Sequence, residues 1–171
     1  VVLTATLYVS NAVQAPFSES FEDSTGLPLG WYQTSESSQW HWEVNAGASS
    51  HLARSVVAHN FAQLAPRMRQ DLISGPYDLA GLANPILTFD HAYKRKGGFN
   101  VDSLQLWVSP DCGISWQKVW EKTGFALASV SGFQANGPFV PTASQWKSDT
   151  VDLAAFNTAT ELRLMFRSIG G

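Results

Sequence analysis

Cysteine, charge and long apolar runs are all scarce in this chain of 171 residues. The single cysteine, Cys112, excludes an internal disulfide and any zinc site built from paired cysteines. Charged residues make up 15%, with 11 Lys+Arg against 14 Asp+Glu, so the net charge of −3 creates no basic field for a phosphate backbone. No apolar run approaches the roughly 20 residues of a membrane-spanning helix. We therefore expect neither a nucleic-acid partner nor a membrane span.

Catalytic motifs are also lacking. No pair among the four histidines has the HExxH spacing or another compact metal-ligand spacing, and those residues are His41, His51, His59 and His91. Nucleophile-elbow, P-loop and dinucleotide-binding motifs are absent. Asp149 and Asp152 are three apart on a predicted strand, so they face opposite ways and cannot form the close carboxylate pair of a retaining glycosidase. We expect a noncatalytic protein.

The residues that are abundant favour a packed β structure. Hydrophobic residues make up 44% and aromatics 12%, enough for a core in a chain that buries roughly 70% of its surface. Period-2 alternation predicts strands at Trp40–Val44, Ile86–Tyr93, Ser103–Ser109, Ser115–Glu121, Trp146–Leu153 and Glu161–Ser168. Thirteen Gly and eight Pro lie mostly between these segments. The pattern predicts an all-β fold, an antiparallel jelly-roll-like β-sandwich with one wet sheet face.

The start of the chain has a separate pattern. Val1–Val9 alternates like a half-buried strand, and residues 10–16 have linker composition. We expect residues 1–14 to be the terminal strand of a preceding domain or a linker, and residues 15–171 to form the sandwich.

Two segments are predicted to be loops. The basic run Lys94-Arg95-Lys96 precedes two glycines and is typical of a solvated loop tip. Residues 124–144 show no sustained alternation and form a long loop. Three phenylalanines in that loop, Phe125, Phe133 and Phe139, either anchor it to the sandwich or present apolar surface.

A tight turn is predicted between two strands. Residues 109–116 fit the pattern S-x-D-x-G-x-S-W, which resembles an Asp-box hairpin. The turn begins at Ser109, and the Asp111 carboxylate can accept amide hydrogens within it. Gly113 permits positive φ, and Trp116 covers the hairpin. This is a structural turn, and Cys112 within it is expected to be a small turn or core residue.

Two kinds of binding residue are candidates. Trp107 faces away from Leu104, Leu106 and Val108, so it is the tryptophan most suited to grip a sugar ring on the surface. Carboxylates at Glu19, Glu22, Asp23 and Asp71 either help to hold Ca²⁺ or are simply solvated.

Eight segments in order resemble one family. They are Phe17–Glu22, Leu27–Trp31, Trp40, Asp71–Leu79, Asn84–Tyr93, Asp102–Leu104 with the following turn, Trp146 before Val151–Leu153, and Leu162–Ser168. Together they resemble the choice-of-anchor J or cleaved-adhesin domain, a MAM-like jelly roll of secreted and surface proteins of Bacteroidetes. The resemblance implies an extracellular or cell-surface location, a structural Ca²⁺ held by Glu22 and Asp71, and an acidic last strand that is missing after Gly171. It also implies neighbouring domains, such as a PKD-type domain or a pappalysin-like metallopeptidase, and type IX secretion.

Two functions follow from these observations. The first is a noncatalytic extracellular binding or adhesion module that recognises a glycan or a protein. The alternative is a structural accessory or assembly domain attached to a secreted metallopeptidase, with no ligand of its own.

Overall fold

The computed structural model describes residues 12–22, 26–36, 41–46, 53–61 and 67–171. This part of the chain is built almost wholly of strands. They are β1 (Val13–Gln14), β2 (Tyr32–Ser35), β3 (Trp42–Ala46), β4 (Arg54–Ala58), β5 (Arg69–Ile73), β6 (Tyr77–Asp78), β7 (Ile86–His91), β8 (Ser103–Ser109), β9 (Gln117–Thr123), β10 (Lys147–Asp152) and β11 (Arg163–Ile169). A short helix α1 (Gly124–Leu127) and 3₁₀ turns at Ala143–Gln145 and Ala154–Phe156 complete the set. None of these helices is long and apolar enough to cross a membrane.

A five-stranded antiparallel sheet forms the main layer, in the order β2-β5-β11-β8-β9. Alternation along β8 sets its two faces, because successive side chains point to opposite sides of a strand. Leu106 and Val108 point inward and are fully buried, whereas Trp107 points outward. A bulge between Leu106 and Trp107 shifts the β8–β9 register and places Lys118 opposite Trp107.

The second layer contains the antiparallel pair β7–β10. Its inward residues, including Val151 of β10 and Phe89 of β7, pack on Leu106 and Leu164 of the main sheet. The core continues into Leu153 and the following 3₁₀ turn. The fold is therefore a jelly-roll-like β-sandwich, as the alternation predicted.

Two smaller strand pairs close the sandwich. Strands β3 and β4 pair antiparallel, and the buried Trp42 of β3 donates its indole Nε1–H to the Gln70 carbonyl of β5 at 2.9 Å. Strand β1 pairs parallel with β6, so Val13 and Gln14 contact the sandwich although they lie in the segment 1–14 predicted as a linker or a preceding strand.

The strand predictions hold best where alternation is strong. Five of the predicted strands overlap β7 to β11, and Ser103–Ser109 matches β8 in both bounds. The predicted Trp40–Val44 overlaps β3, although Trp40 and the predicted strand Val1–Val9 lie outside the described residues. Strands β1, β2, β4, β5 and β6 were not predicted. The outer face of the main sheet is also less exposed to solvent than predicted, because Ile73 and Met165, which pair across β5 and β11, are buried.

The prediction of a solvated tip at Lys94-Arg95-Lys96 was wrong for Arg95, which is only 3% exposed. Its guanidinium lies 3.8 Å from the ring centroid of Phe125 and 5.5 Å from that of Phe133. Cation–π attraction therefore holds the long loop 124–144 on Arg95. The Gln134 amide reinforces the contact by donating to the Arg95 carbonyl at 2.7 Å. Phe125 and Phe133 thus anchor the loop while leaving much of their own surface exposed.

Candidate functional site

A cavity of about 410 Å³ lies on the inner side of the main sheet. Its floor includes Leu72, Leu104 and Phe166 from three neighbouring strands, and one wall is the segment 139–141 of the long loop. Aromatic rings contribute much of the lining: Phe21, Trp31, Trp42, Phe89, Tyr93, Phe139 and Trp146. Polar residues, including Ser55, Asn60 and Ser103, also line it. A concave site of this size lined by rings is the usual form of a small-ligand pocket.

Three of the rings are held by local structure. Trp31 follows a turn in which its amide donates to the Pro28 carbonyl at 3.0 Å, and Phe21 packs edge-on against it at 5.3 Å between centroids. Trp42 is fixed by its bond to Gln70 of the neighbouring strand. Trp146 directly follows the 3₁₀ turn that Thr142 and Gln145 cap reciprocally. The cavity walls are therefore positioned by the scaffold before any ligand arrives.

A hydrogen-bonded trio lies beside the cavity and joins the two layers. His91 Nε2 is 2.8 Å from an Asp149 carboxylate oxygen, and Lys122 Nζ donates to both oxygens of that carboxylate at 2.6 and 2.7 Å. Burial lowers the pKa of His91, and Lys122 and Lys147 add to that effect while Asp149 opposes it. Burial alone raises the pKa of Asp149, but the bonds from Lys122 and His91 lower it overall. A neutral imidazole and a charged carboxylate result.

The trio lacks the parts of a catalytic triad. His91 is 5% exposed, and its second ring nitrogen, Nδ1, has no hydrogen-bond partner in the described chain, so no nucleophile is attached to it. Within the described residues, no three histidine, cysteine or acidic side chains cluster to hold a metal ion. Of the other histidines, His41 is exposed, His59 lies 2.7 Å from Glu43, and His51 falls outside the described residues.

Asp102 also lines the cavity, is 8% exposed and accepts the Gly171 amide at 2.7 Å. Burial raises the pKa of Tyr93, and the neighbouring Asp102 carboxylate raises it further. Asp102 therefore brings a buried carboxylate to a wall that is otherwise mainly apolar.

The predicted sugar platform, Trp107, lies on the opposite face of the sheet. It is half-buried, and its indole Nε1–H donates to Gln105 at 2.9 Å, while Gln105 in turn donates to Glu121 at 2.7 Å. Cations flank the ring, with the Arg167 guanidinium 5.4 Å and Lys118 Nζ 5.9 Å from its centroid. Ligand binding at Trp107 stays a prediction.

The two carboxylates predicted to hold calcium are already bound by protein donors. Asp71 lies in strand β5, and Arg167 donates to both its oxygens at 2.7 Å. Glu22 accepts the backbone amides of Ala53 and Arg54 at 2.9 and 2.5 Å through one oxygen. A calcium ion at Asp71 therefore has to displace Arg167.

The turn between β8 and β9 is held by its own side chains. The Asp111 carboxylate accepts the Ser115 amide at 2.8 Å and the Ser115 hydroxyl at 2.5 Å, and these bonds lower the pKa of Asp111 to about 2. The Ser109 hydroxyl accepts the Gly113 amide at 2.7 Å, and Trp116 Nε1 donates to the Gly113 carbonyl at 3.1 Å. Cys112 is exposed at this turn and its thiol donates to Glu161.

Sequence reasoning missed the cavity and the trio, because their members come from distant segments. His91 and Asp149 are 58 residues apart and share no local motif. The alternation of Ile86–Tyr93 did place His91 on the same strand face as Phe89, and this was the available signal.

No protein-family model matches this chain. No curated protein matches it either. Solved structures do match. The K1 cleaved adhesin domain of Lys-gingipain from Porphyromonas gingivalis W83 superposes with a TM-score of 0.61 at 18% identity, over 89% of this chain and 92% of that chain. The K3 cleaved adhesin domain of the same protein gives 0.62 at 18%, over 91% and 90%. The chain thus has the fold of the cleaved adhesin domains.

Proposed function

We propose that this chain is a noncatalytic binding module of a secreted or cell-surface protein, with the aromatic cavity as its ligand site. The observation that carries the proposal is the cavity itself, in which rings from distant segments meet a few polar groups on a rigid sheet. The fold shared with cleaved adhesin domains supports an adhesive role. Extracellular glycans and proteins are the proposed ligand classes.

Array binding tests the proposal. The chain is screened on extracellular polysaccharide and protein arrays, alongside Trp146→Ala in the cavity and Trp107→Ala on the outer face. We expect the arrays to identify a ligand of the parent chain. Its affinity should fall at least tenfold for Trp146→Ala and stay within twofold of the parent value for Trp107→Ala. A loss confined to Trp107→Ala moves the site to the outer face and contradicts the cavity proposal.

If the chain binds nothing on either array, the proposed binding function is overturned. The chain is then better described by the alternative, a structural accessory or assembly domain of a secreted metallopeptidase. Light scattering of the isolated chain distinguishes these cases further, because an assembly domain forms larger species as concentration rises.

Calcium binding by Glu22 and Asp71 is a second, separate proposal, and it is supported by the family resemblance. A cation that binds only the native state raises its melting temperature. Melting with calcium and with a chelator is therefore compared for the parent chain and Glu22→Gln. A rise that Glu22→Gln abolishes supports the site, and identical midpoints in all four samples contradict it.

A further inference from the structure

We infer that the cavity receives a cationic end group, an ammonium or guanidinium on an apolar stem, as a Lys or Arg side chain of a protein ligand presents it. The inference rests on the proposed function, because it requires a ligand to enter the cavity. It adds the charge and shape of that ligand.

The formal charges of the lining are of one sign. The described lining includes three acidic residues, Glu19, Asp90 and Asp102, and no Lys or Arg. The Asp90 carboxylate accepts the Ser148 hydroxyl on the face of β7 opposite His91, so Glu19 and Asp102 supply the negative charge. His91 is held neutral near neutral pH by its burial. An incoming cation therefore meets net negative charge in a site that is only partly open to water, where charge interactions are stronger than in bulk solvent.

Three cations on neighbouring segments are already engaged in other contacts. Lys122 is bound to both oxygens of Asp149, and Lys147 Nζ donates to the Ala128 carbonyl at 2.7 Å. The Arg95 guanidinium is packed against two loop phenylalanines and donates to the Gly98 carbonyl at 2.7 Å. None of the three belongs to the lining.

Asp102 differs from the other well-buried carboxylates in lacking a cation. Asp71 is paired with Arg167 and Asp149 with Lys122, whereas Asp102 has no salt-bridge partner among the described residues. Buried charges are normally paired, because an unpaired one loses solvation without compensation. A cationic ligand group supplies the missing partner.

The apolar walls of the cavity favour an aliphatic stem on the cationic ligand group. Trp31, Trp42 and Trp146 line the cavity, and indole rings attract cations and pack against aliphatic carbons. A sugar ring brings a hydroxyl on most of its carbons, and each buried hydroxyl needs a hydrogen-bond partner. The lining also holds three polar atoms without a partner in the described chain, Trp146 Nε1, Tyr93 Oη and His91 Nδ1, which can bond to a polar ligand group. The preference for a Lys or Arg side chain over a sugar ring therefore depends on the negative charge of the lining.

Matched small probes test the inference on the full chain. Nα-acetyl-lysine methylamide is titrated beside Nα-acetyl-norleucine methylamide, which has a similar stem without the amine, and binding is followed through the indole N–H resonances. Glucosamine forms a third arm, because it carries an amine on a hydroxyl-rich ring. We expect the lysine probe to bind at least tenfold more tightly than either of the other two.

Two variants test whether the Asp102 carboxylate causes the preference for the cationic probe. Asp102→Asn is expected to weaken the lysine probe at least tenfold and to leave the norleucine probe unchanged, while Glu121→Gln on the outer face changes neither. The wild-type comparison of probes stands even if Asp102→Asn fails to fold. Equal binding of lysine and norleucine, or tighter binding of glucosamine, overturns the inference. An array ligand that has no cationic group but requires Trp146 leaves the proposed function intact and overturns the inference alone.

Discussion

Arg167 on β11 donates to both carboxylate oxygens of Asp71 on β5, each at 2.7 Å, and the two residues are directly opposite in the strand register. Their side chains are only 21% and 13% exposed. This bidentate pair ties the centre of the main sheet to β5, a strand whose polar sequence gave no alternation signal. It also supplies Asp71 with the positive charge that was predicted to come from calcium.

Breaking this ion pair is expected to destabilise the sheet. Asp71→Asn should lower the free energy of unfolding by about 2 kcal/mol, because it leaves a half-buried guanidinium without its countercharge. Arg167→Gln should cost a similar amount, and the double variant should cost clearly less than the sum of the two. Urea unfolding of the four proteins measures the coupling. Additive effects would contradict the pairing.

The buried imidazole of His91 predicts a pH-dependent stability. Its pKa in the folded chain is lower than the ordinary value of 6.5, so the unfolded chain binds the extra proton first as the pH falls. The contribution of neutral His91 to the free energy of unfolding should therefore be fully present above pH 6.5. It should be lost as the pH falls from 6.5 towards the lower pKa that His91 has in the folded chain. Melting temperatures measured between pH 7.5 and 5 should show this decline.

Two histidine variants test whether His91 causes this decline in stability with falling pH. His91→Gln should flatten the slope between pH 6.5 and 5, since the titrating group is gone. His41→Gln, at an exposed position, should keep the parent slope. If the two variants exchange these behaviours, His91 is not the responsible group.

The turn between β8 and β9 depends on the backbone conformation at Gly113, where φ is +93°. Gly113→Ala should cost about 1 kcal/mol of unfolding free energy, because side chains disfavour positive φ. Gly98→Ala is the matched control, since an added Cβ there meets no atom within 4 Å and the backbone has no positive φ. Equal stability of the two variants would contradict a requirement for glycine in the turn.

Arg95 is expected to position the cavity wall through the long loop. Arg95→Lys keeps the charge but loses the planar guanidinium that lies over the Phe125 ring and near the Phe133 ring. Hydrogen exchange at the amides of Ser129 and Gln134, which bond to the Tyr93 and Arg95 carbonyls, should accelerate about tenfold. Lys96→Arg, on the exposed neighbour, should leave both rates unchanged. Unaltered exchange in Arg95→Lys would show that other contacts hold the loop.

The sequence predicted those parts of the fold whose signal is local. Strand β8 has Leu104, Leu106 and Val108 on alternating positions, so its bounds could be predicted. Strand β5 has no such pattern, because Gln70 is fully buried through bonds made elsewhere: its side chain donates to Asn60 and its carbonyl accepts from Trp42. Only the tertiary structure provides those partners.

The candidate site was hidden for the same reason. A run of three basic residues usually indicates solvent exposure, and the rings that bury Arg95 lie 30 and 38 residues further along the chain. Trp31, Trp42 and Trp146 belong to three separated segments that meet only after the sandwich closes. A single sequence cannot show such convergence, whereas the outward direction of Trp107 follows from one strand alone.

Ligand binding in the cavity is tested most directly by an indole N–H correlation spectrum recorded while a ligand found on the arrays is added. The chain has seven tryptophans, so each indole can be assigned by substitution. If the ligand binds in the cavity, the resonances of Trp31, Trp42 and Trp146 shift together with one dissociation constant, while that of Trp107 stays in place. Shifts confined to Trp107 would place the ligand on the outer face and contradict binding in the cavity.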